Sequence, residues 1–294
     1  MQALNFLINY PVFRYAMVTA IAIGVVCSLL SVIVVLKRMA FIGQGISHAG
    51  FGGIGAAMFL GVAAGRTQDA LVLIFCIGTA VLIGVLSRRR QIHADSAIGI
   101  LLAGAMALGV ILADLSVALQ DQAWYVQLVG PPTYRPSFEQ LLFGSLLSVT
   151  RADMWTALIL SLAVVATIAA LFKEVLFFTF DEPVSRVFGV RTGLIYYLLL
   201  VLLSVTIVLS IRLVGIILAS ALLIVPGATA TLISQRLPAV LLSALAVGLL
   251  GTVGGLTLSL ELGNLSSGPC IVLVLCLLFL AAFTLRSFRC RQRA

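Results

Sequence analysis

Nine apolar stretches, each long enough to cross a lipid bilayer and nearly free of charge, constrain this chain more than any other feature. They are Ala16–Leu36, Ile46–Gly65, Ala70–Leu86, Ala97–Val117, Trp155–Phe172, Leu194–Ile211, Leu213–Ile233, Ala239–Leu260 and Pro269–Leu285. A helix crossing about 30 Å of hydrocarbon uses about twenty residues, so nine crossings consume most of the 294 residues and leave short loops. A mean hydropathy of +1.22, with only 10% of residues charged, lies far outside the range of water-soluble domains. The expectation is an all-α integral membrane protein, a polytopic bundle of about eight to nine transmembrane helices in a single domain over residues 1–294. Leu141–Val149 is apolar but too short to span, and is predicted to be re-entrant or interfacial.

The basic residues orient the bundle. With the first crossing running from outside to inside, the inner loops hold Lys37, Arg38, Arg88, Arg89, Arg90, Lys173, Arg186, Arg191, Arg236, Arg286, Arg289, Arg291 and Arg293. The outer side keeps Arg14, Arg66, Arg135, Arg151 and Arg212, so thirteen of eighteen lie inside, as the positive-inside rule requires. Topology therefore accounts for the net charge of +8, and no nucleic-acid partner is needed. No small-residue cleavage site follows the first apolar run, which is expected to be a retained crossing and not a secretory signal.

Composition excludes several chemistries. Lys37 and Lys173 are the two lysines, and neither follows a glycine, so the Gly-Lys-Ser/Thr ending of a nucleotide-binding loop is missing. His48 and His93 lack the downstream Glu and His of an intramembrane zinc protease. Cys27, Cys76, Cys270 and Cys276 fall inside apolar segments without metal-type spacing, and Cys290 sits in a basic tail.

The polar residues inside the spans are the places to look for function. Counting from Lys37 and Arg38, His48 lies roughly 15 Å deep at about 1.5 Å per residue. Gln44 shares its helical face four residues earlier, and Ser47 sits beside it. Ionisable groups at such depth usually face a pore or the bundle interior; the bland alternative is structural glue between helices. Asp114, Glu261 and Asn264 fall towards the outer ends of their crossings, where carboxylates could gather an entering divalent cation or serve as ordinary interfacial charges. Asp95 with Ser96 is expected to cap the fourth crossing. Pro226 permits a break in the seventh crossing, and Gly61…Gly65 and Gly251…Gly255 predict close helix packing.

Two loops stand out. The outer loop Asp114–Asp153 contains Trp124, Tyr125, Gly130-Pro131-Pro132 and Tyr134, suited to a folded rim. The inner loop, about residues 173–193, is expected to carry a short helix capped by Asp181 or Thr179, with Pro183 in its first turn and Gly189 closing it.

Five ordered segments carry a resemblance over nearly the whole chain. They are Leu36-Lys-Arg-Met-Ala-Phe-Ile-Gly-Gln-Gly-Ile-Ser-His-Ala, Asp95-Ser-Ala-Ile-Gly-Ile, Leu142-Phe-Gly-Ser-Leu-Leu-Ser-Val, Thr179-Phe-Asp-Glu-Pro-Val-Ser-Arg-Val-Phe-Gly-Val, and Arg212-Leu-Val-Gly together with Ala221-Leu-Leu-Ile-Val-Pro-Gly-Ala-Thr-Ala. Together they resemble the membrane permeases of ATP-binding-cassette importers for zinc, manganese and iron, relatives of the cobalamin and siderophore permeases. The resemblance implies a permease in the bacterial cytoplasmic membrane that pairs with a second permease copy, identical or different, two cytosolic ATPases and an external metal-binding protein. It implies no permanently bound cofactor; the divalent metal ion is cargo, and ATP hydrolysis belongs to the separate ATPase, so this chain is not itself an enzyme.

In that family an Asp usually stands four residues before the His of Ser-His-Ala, and both are associated with the metal path; here the position is Gln44. Either the ion is held more weakly at Gln44, or a different, paired permease supplies the carboxylate. The stretch Phe180–Gly189 resembles the segment that sits in a groove of the ATPase, which implies coupling roles for Asp181, Glu182, Arg186 and Gly189. The competing function is an ion-gradient-driven secondary transporter of small solutes, against which the scarcity of buried acids and the absence of a clear internal repeat both argue.

Overall fold

The computed structural model describes residues 11–62, 65–88, 93–119, 144, 149–262 and 266–291. Eleven helices lie among them: α1 (Pro11–Leu36), α2 (Ala40–Phe59), α3 (Arg66–Arg88), α4 (Ala94–Leu119), α5 (Arg151–Ala170), α6 (Phe172–Phe180), α7 (Glu182–Val187), α8 (Thr192–Val214), α9 (Ile216–Ile233), α10 (Leu237–Leu262) and α11 (Ser267–Arg291). The described residues contain no strand.

Eight of these helices are long and apolar enough to cross a bilayer, and they coincide with eight of the nine predicted spans. The remaining span, predicted as Ile46–Gly65, is the twenty-residue α2, which begins six residues earlier at Ala40. At 1.5 Å per residue α2 is about 30 Å long, enough to cross, and it carries Gln44, Ser47 and His48 within its length. Thirteen of its residues are buried against neighbouring helices. Gly61 and Gly65 are not helix-packing residues: they lie beyond α2 in the turn towards α3, with φ of 63° and 149°.

Two helix groups share the bundle. In one, α2 packs against α3 and α4; in the other, α1 packs against α9 and α10, and α11 closes on α9 and α10. Helices α8 and α9 touch both groups, and α5 lies outside α1 and α8. A single residue, Gly215 with φ 89°, joins α8 to α9. Gly144, the described part of the short apolar piece with Val149, lies against the backbone of Val214 and Gly215; a Cβ there would come within 2.6 Å of the Gly215 nitrogen. The rest of Leu141–Val149, and Trp124, Tyr125, Gly130, Pro131, Pro132 and Tyr134 of the outer loop, lie outside the described residues.

Helix α9 continues through Pro226 instead of breaking. Proline removes one backbone donor and disturbs the preceding turn, and α1 fills the gap from the side. The Gly227 N–H donates to Ser31 Oγ at 2.7 Å, and Ser31 in turn donates to the Ile224 carbonyl at 3.3 Å. Gly227 is required here, because a Cβ would lie 2.5 Å from the Ser31 carbonyl oxygen.

Side contacts agree with the sidedness read from the charges. Lys37 at the end of α1, Arg88 at the end of α3 and Glu182 in α7 meet at one end of the bundle. Arg66 and Asp69 at the start of α3 line a crevice with Asp153 and Thr156 at the start of α5 and Leu209 near the end of α8, at the other end. Helix α4 starts at Ala94, which puts Asp95 inside its first turn and not at the capping position. There its carboxylate still favours the positive end of the helix dipole.

Candidate functional site

Six of the twenty residues of α2 are glycine, each about 1 kcal/mol less favourable in a helix than alanine, so α2 is held by its neighbours and not by its own propensity. The glycines buy close approach. A Cβ on Gly55 would overlap the Gly109 carbonyl of α4, one on Gly109 would lie 2.5 Å from the Phe51 carbonyl oxygen, and one on Gly53 would lie 2.9 Å from Val72 Cα of α3. Cys76 Sγ of α3 also reaches the Ile46 carbonyl at 3.7 Å.

This packing leaves one stripe of α2 open. Phe41 is exposed and Gln44 and His48 are half-buried, whereas Phe51 and Ile54 are buried. The open stripe thus runs from the inner end of α2 and stops at His48, about 12 Å along the helix. Gln44 and His48 share it, as their spacing predicts. Ser47 does not: it is fully buried and its hydroxyl donates to the Gly43 carbonyl at 2.9 Å, within its own helix. His48 stacks on Phe51 with ring centroids 6.4 Å apart. Its Nδ1 is shielded from solvent and has no hydrogen-bond partner among the described residues. Imidazole nitrogens are good ligands for first-row divalent metals, and a buried nitrogen without a partner is costly unless something transient or external supplies one.

The outer acids are placed apart. Asp114 is exposed near the end of α4, which packs on α2 and α3, and Glu261 is exposed near the end of α10, which packs on α1, α9 and α11. Asn264 lies outside the described residues. Among the described residues no three His, Cys, Asp or Glu side chains gather into a metal-holding group.

At the inner end, the predicted short helix is present as α7. Asp181 caps it by accepting the Val184 N–H at 2.9 Å, and Pro183 lies in its first turn. Gly189 ends it with φ 84°, a left-handed backbone that suits glycine, its N–H donating to the Arg186 carbonyl at 3.2 Å. Glu182 faces back to the bundle and meets Lys37, Arg88 and Arg186. The opposite face offers Val184, Val187 and Phe188, the last two 85% and 74% exposed, with Phe177 behind Phe188 at 5.6 Å. Sequence reasoning passed over Val187 and Phe188, although two large apolar residues between the charges of Arg186 and Arg191 were a visible signal. Val184, Val187 and Phe188 thus form an exposed apolar patch beside charged residues, the kind of patch at which proteins meet.

Residues 9–286 match the ABC 3 transport family. The chain belongs to that family. It is 34% identical to the manganese transport system membrane protein MntC of Halalkalibacterium halodurans, over 94% of this chain and 88% of that protein. It is 32% identical to the chelated iron transport system membrane protein YfeD of Yersinia pestis, over 93% of this chain and 85% of that one. Among solved structures it is similar to PsaBC from Streptococcus pneumoniae in complex with Fab, with a TM-score of 0.78 and 28% identity, covering 96% of this chain and 94% of that chain. The family and the apolar helices together make this a multi-pass permease of the bacterial inner membrane.

Proposed function

We propose that this chain is the conducting subunit of an ATP-driven importer of divalent metal ions, with manganese or iron(II) as the cargo class and zinc as a close chemical neighbour. The observation that carries the proposal is the open stripe of α2, which ends half-way along the helix at His48, whose Nδ1 has no hydrogen-bond partner among the described residues. The names of MntC and YfeD support the cargo class. One imidazole and one amide make a weak site, and weakness suits a pathway, since an ion bound tightly cannot leave. His48 and Gln44 act as a transient way station; Asp114, Glu261 and Asn264 gather cations at the outer mouth, and Ser47 contributes through the packing of α2. The open stripe is completed by a second permease copy.

The α7 knob of Val184, Val187 and Phe188 docks in a cytosolic ABC ATPase, with Asp181 and Gly189 holding its shape and Arg186 at its edge. An external metal-binding protein delivers the ion. The test is uptake of Mn²⁺ by proteoliposomes holding the assembled importer, with ATP inside and the binding protein outside. His48→Ala is expected to lower the flux at least tenfold while the thermal unfolding temperature stays within a few degrees of wild type. Unchanged flux removes His48 from the path, and flux from vesicles without the ATPase would mark a gradient-driven carrier instead.

A further inference from the structure

Glu182 is the acid on which three inner cations converge. Its Oε2 lies 3.3 Å from Lys37 Nζ, and its Oε1 lies 3.6 Å from Arg88 Nη2 and 3.7 Å from Arg186 Nη2. Arg186 belongs to α7 itself, but Lys37 and Arg88 come from the ends of two membrane helices. Both rest on an aromatic floor. Lys37 Nζ lies 3.9 Å above the Phe178 ring and the Arg88 guanidinium 4.4 Å above the Tyr196 ring, while Phe178 and Tyr196 meet edge to face at 6.5 Å. Phe178 is fully buried and Tyr196 nearly so, which fixes both rings. Cation–π contact from below and a carboxylate from the side leave each cation little freedom to swing away.

What the two cations are attached to gives the knot its meaning. Lys37 opens a three-residue turn into α2, closed by the Lys37 N–H to the Ile33 carbonyl at 2.9 Å and the Met39 N–H to the Val34 carbonyl at 2.8 Å. Arg38 in this turn is a non-glycine residue with positive φ, 57°, and Met39 is 5% exposed. So tight a turn carries a displacement of Lys37 directly to Ala40 and the start of α2. Arg88 ends α3, whose Val72 and Phe75 press on Gly53 and Gly52 of α2. Both routes from Glu182 therefore arrive at the helix that carries Gln44 and His48.

We propose that Lys37 and Arg88 are positioning residues for transport: through Glu182 they tie the docking helix to α2, so that movement of α7 is delivered to the His48 stripe. The proposal rests on the transporter reading above and adds the route within this chain. Side-chain exposures of 17% for Lys37, 31% for Glu182 and 36% for Arg88 leave all three groups in reach of water, which can solvate a charge whose partner is replaced. Loss of the knot is therefore expected to cost coupling and not assembly.

The experiment uses the complete importer, permease with ATPase and binding protein, in vesicles, with Mn²⁺ as the probe. Lys37→Met, outside the docking helix, is expected to keep the ATPase bound on purification and to keep basal ATP hydrolysis. It and Glu182→Gln should each lose at least tenfold in Mn²⁺ uptake and lose the stimulation of hydrolysis by the binding protein. Lys37→Arg, which keeps the charge, should retain uptake within about threefold. Arg88→Met, which removes the second cation, should lose uptake as Lys37→Met does. Normal uptake in Glu182→Gln overturns the proposal. Loss of the bound ATPase in that variant also overturns it, because Glu182 would then touch the ATPase directly, and so does failure of Lys37→Arg to retain uptake. If the transporter reading itself is wrong, the wild-type complex shows no ATP-dependent Mn²⁺ uptake, a result independent of all four variants.

Discussion

Helices α2 and α5 are both twenty residues long, and both spans are legible in the sequence, but they live in opposite solvents. Helix α5 buries only the stripe Ala157, Ser161, Val164 and Ile168, at the spacing of a single helical face, and turns Ile159 and Leu162 outward. Large apolar side chains there face lipid, and its N-terminus is fixed locally by a box in which Thr150 Oγ1 accepts the Asp153 N–H while Asp153 accepts the Thr150 N–H. Helix α2 buries thirteen residues, among them glycines that let α3 and α4 reach its backbone. Lipid does not contact most of α2, so its sequence is free to carry Gln44 and His48, and its stability is borrowed from neighbours. Of two helices of equal length, the one that carries Gln44 and His48 is the more deeply embedded.

That contrast can be broken by substitution. The largest effect is expected from Gly55→Val, whose Cβ meets the Gly109 backbone, which has no rotamer to give way. Overpacking typically costs about 1–3 kcal/mol, and a backbone clash lies at or beyond the top of that range. The yield of monodisperse protein in size-exclusion chromatography should collapse; a normal elution profile would show that α2 and α4 can separate without penalty. Leu162→Arg, 70% exposed at the middle of α5, places a charge in hydrocarbon at about 2.5–3.5 kcal/mol. A glycosylation-tag insertion assay should report fewer correctly inserted chains, and full insertion would place this face in water.

Asp181→Ala removes the cap of α7 at a cost of about 1 kcal/mol. Local hydrogen exchange of Val184 and Ser185 should rise several-fold with global unfolding unchanged, and unaltered exchange would show that Pro183 alone holds the turn. The smallest effect is expected for Ile159→Val, 62% exposed on α5. Its unfolding free energy should match wild type within about 0.5 kcal/mol. A clear loss would mean that this face is packed against protein and not lipid.

Legibility followed the range of the interactions. The cap at Asp181, the proline after it and the stop at Gly189 were readable because capping involves residues three or four apart. The Gly251…Gly255 spacing was also read correctly: both glycines receive α11, at Leu275 and Ile271. The same pattern misled at Gly61 and Gly65, since a turn uses glycine for positive φ as readily as a helix contact uses it for its missing side chain. The apolar window opens only at Ile46 because Gln44 and the surrounding glycines lower local hydropathy, although the helix that carries Gln44 and His48 on one face is continuous from Ala40. Grouping Ser47 with Gln44 and His48 was a matter of neighbourhood in sequence; the fold points its hydroxyl back into the helix.

Taken by itself, the sequence put the number of membrane helices at eight to nine, supplied an expected orientation and located the capped inner helix. Hydropathy, loop charge and capping all act over a few residues, so no knowledge of neighbours was needed. Tertiary structure alone decided which helix the others enclose, which glycines serve contact and which serve turns, and that Glu182 finds Lys37 across a separation of 145 residues. Those outcomes depend on the meeting of surfaces far apart in the chain, and a linear pattern carries no record of who meets whom until the bundle has closed.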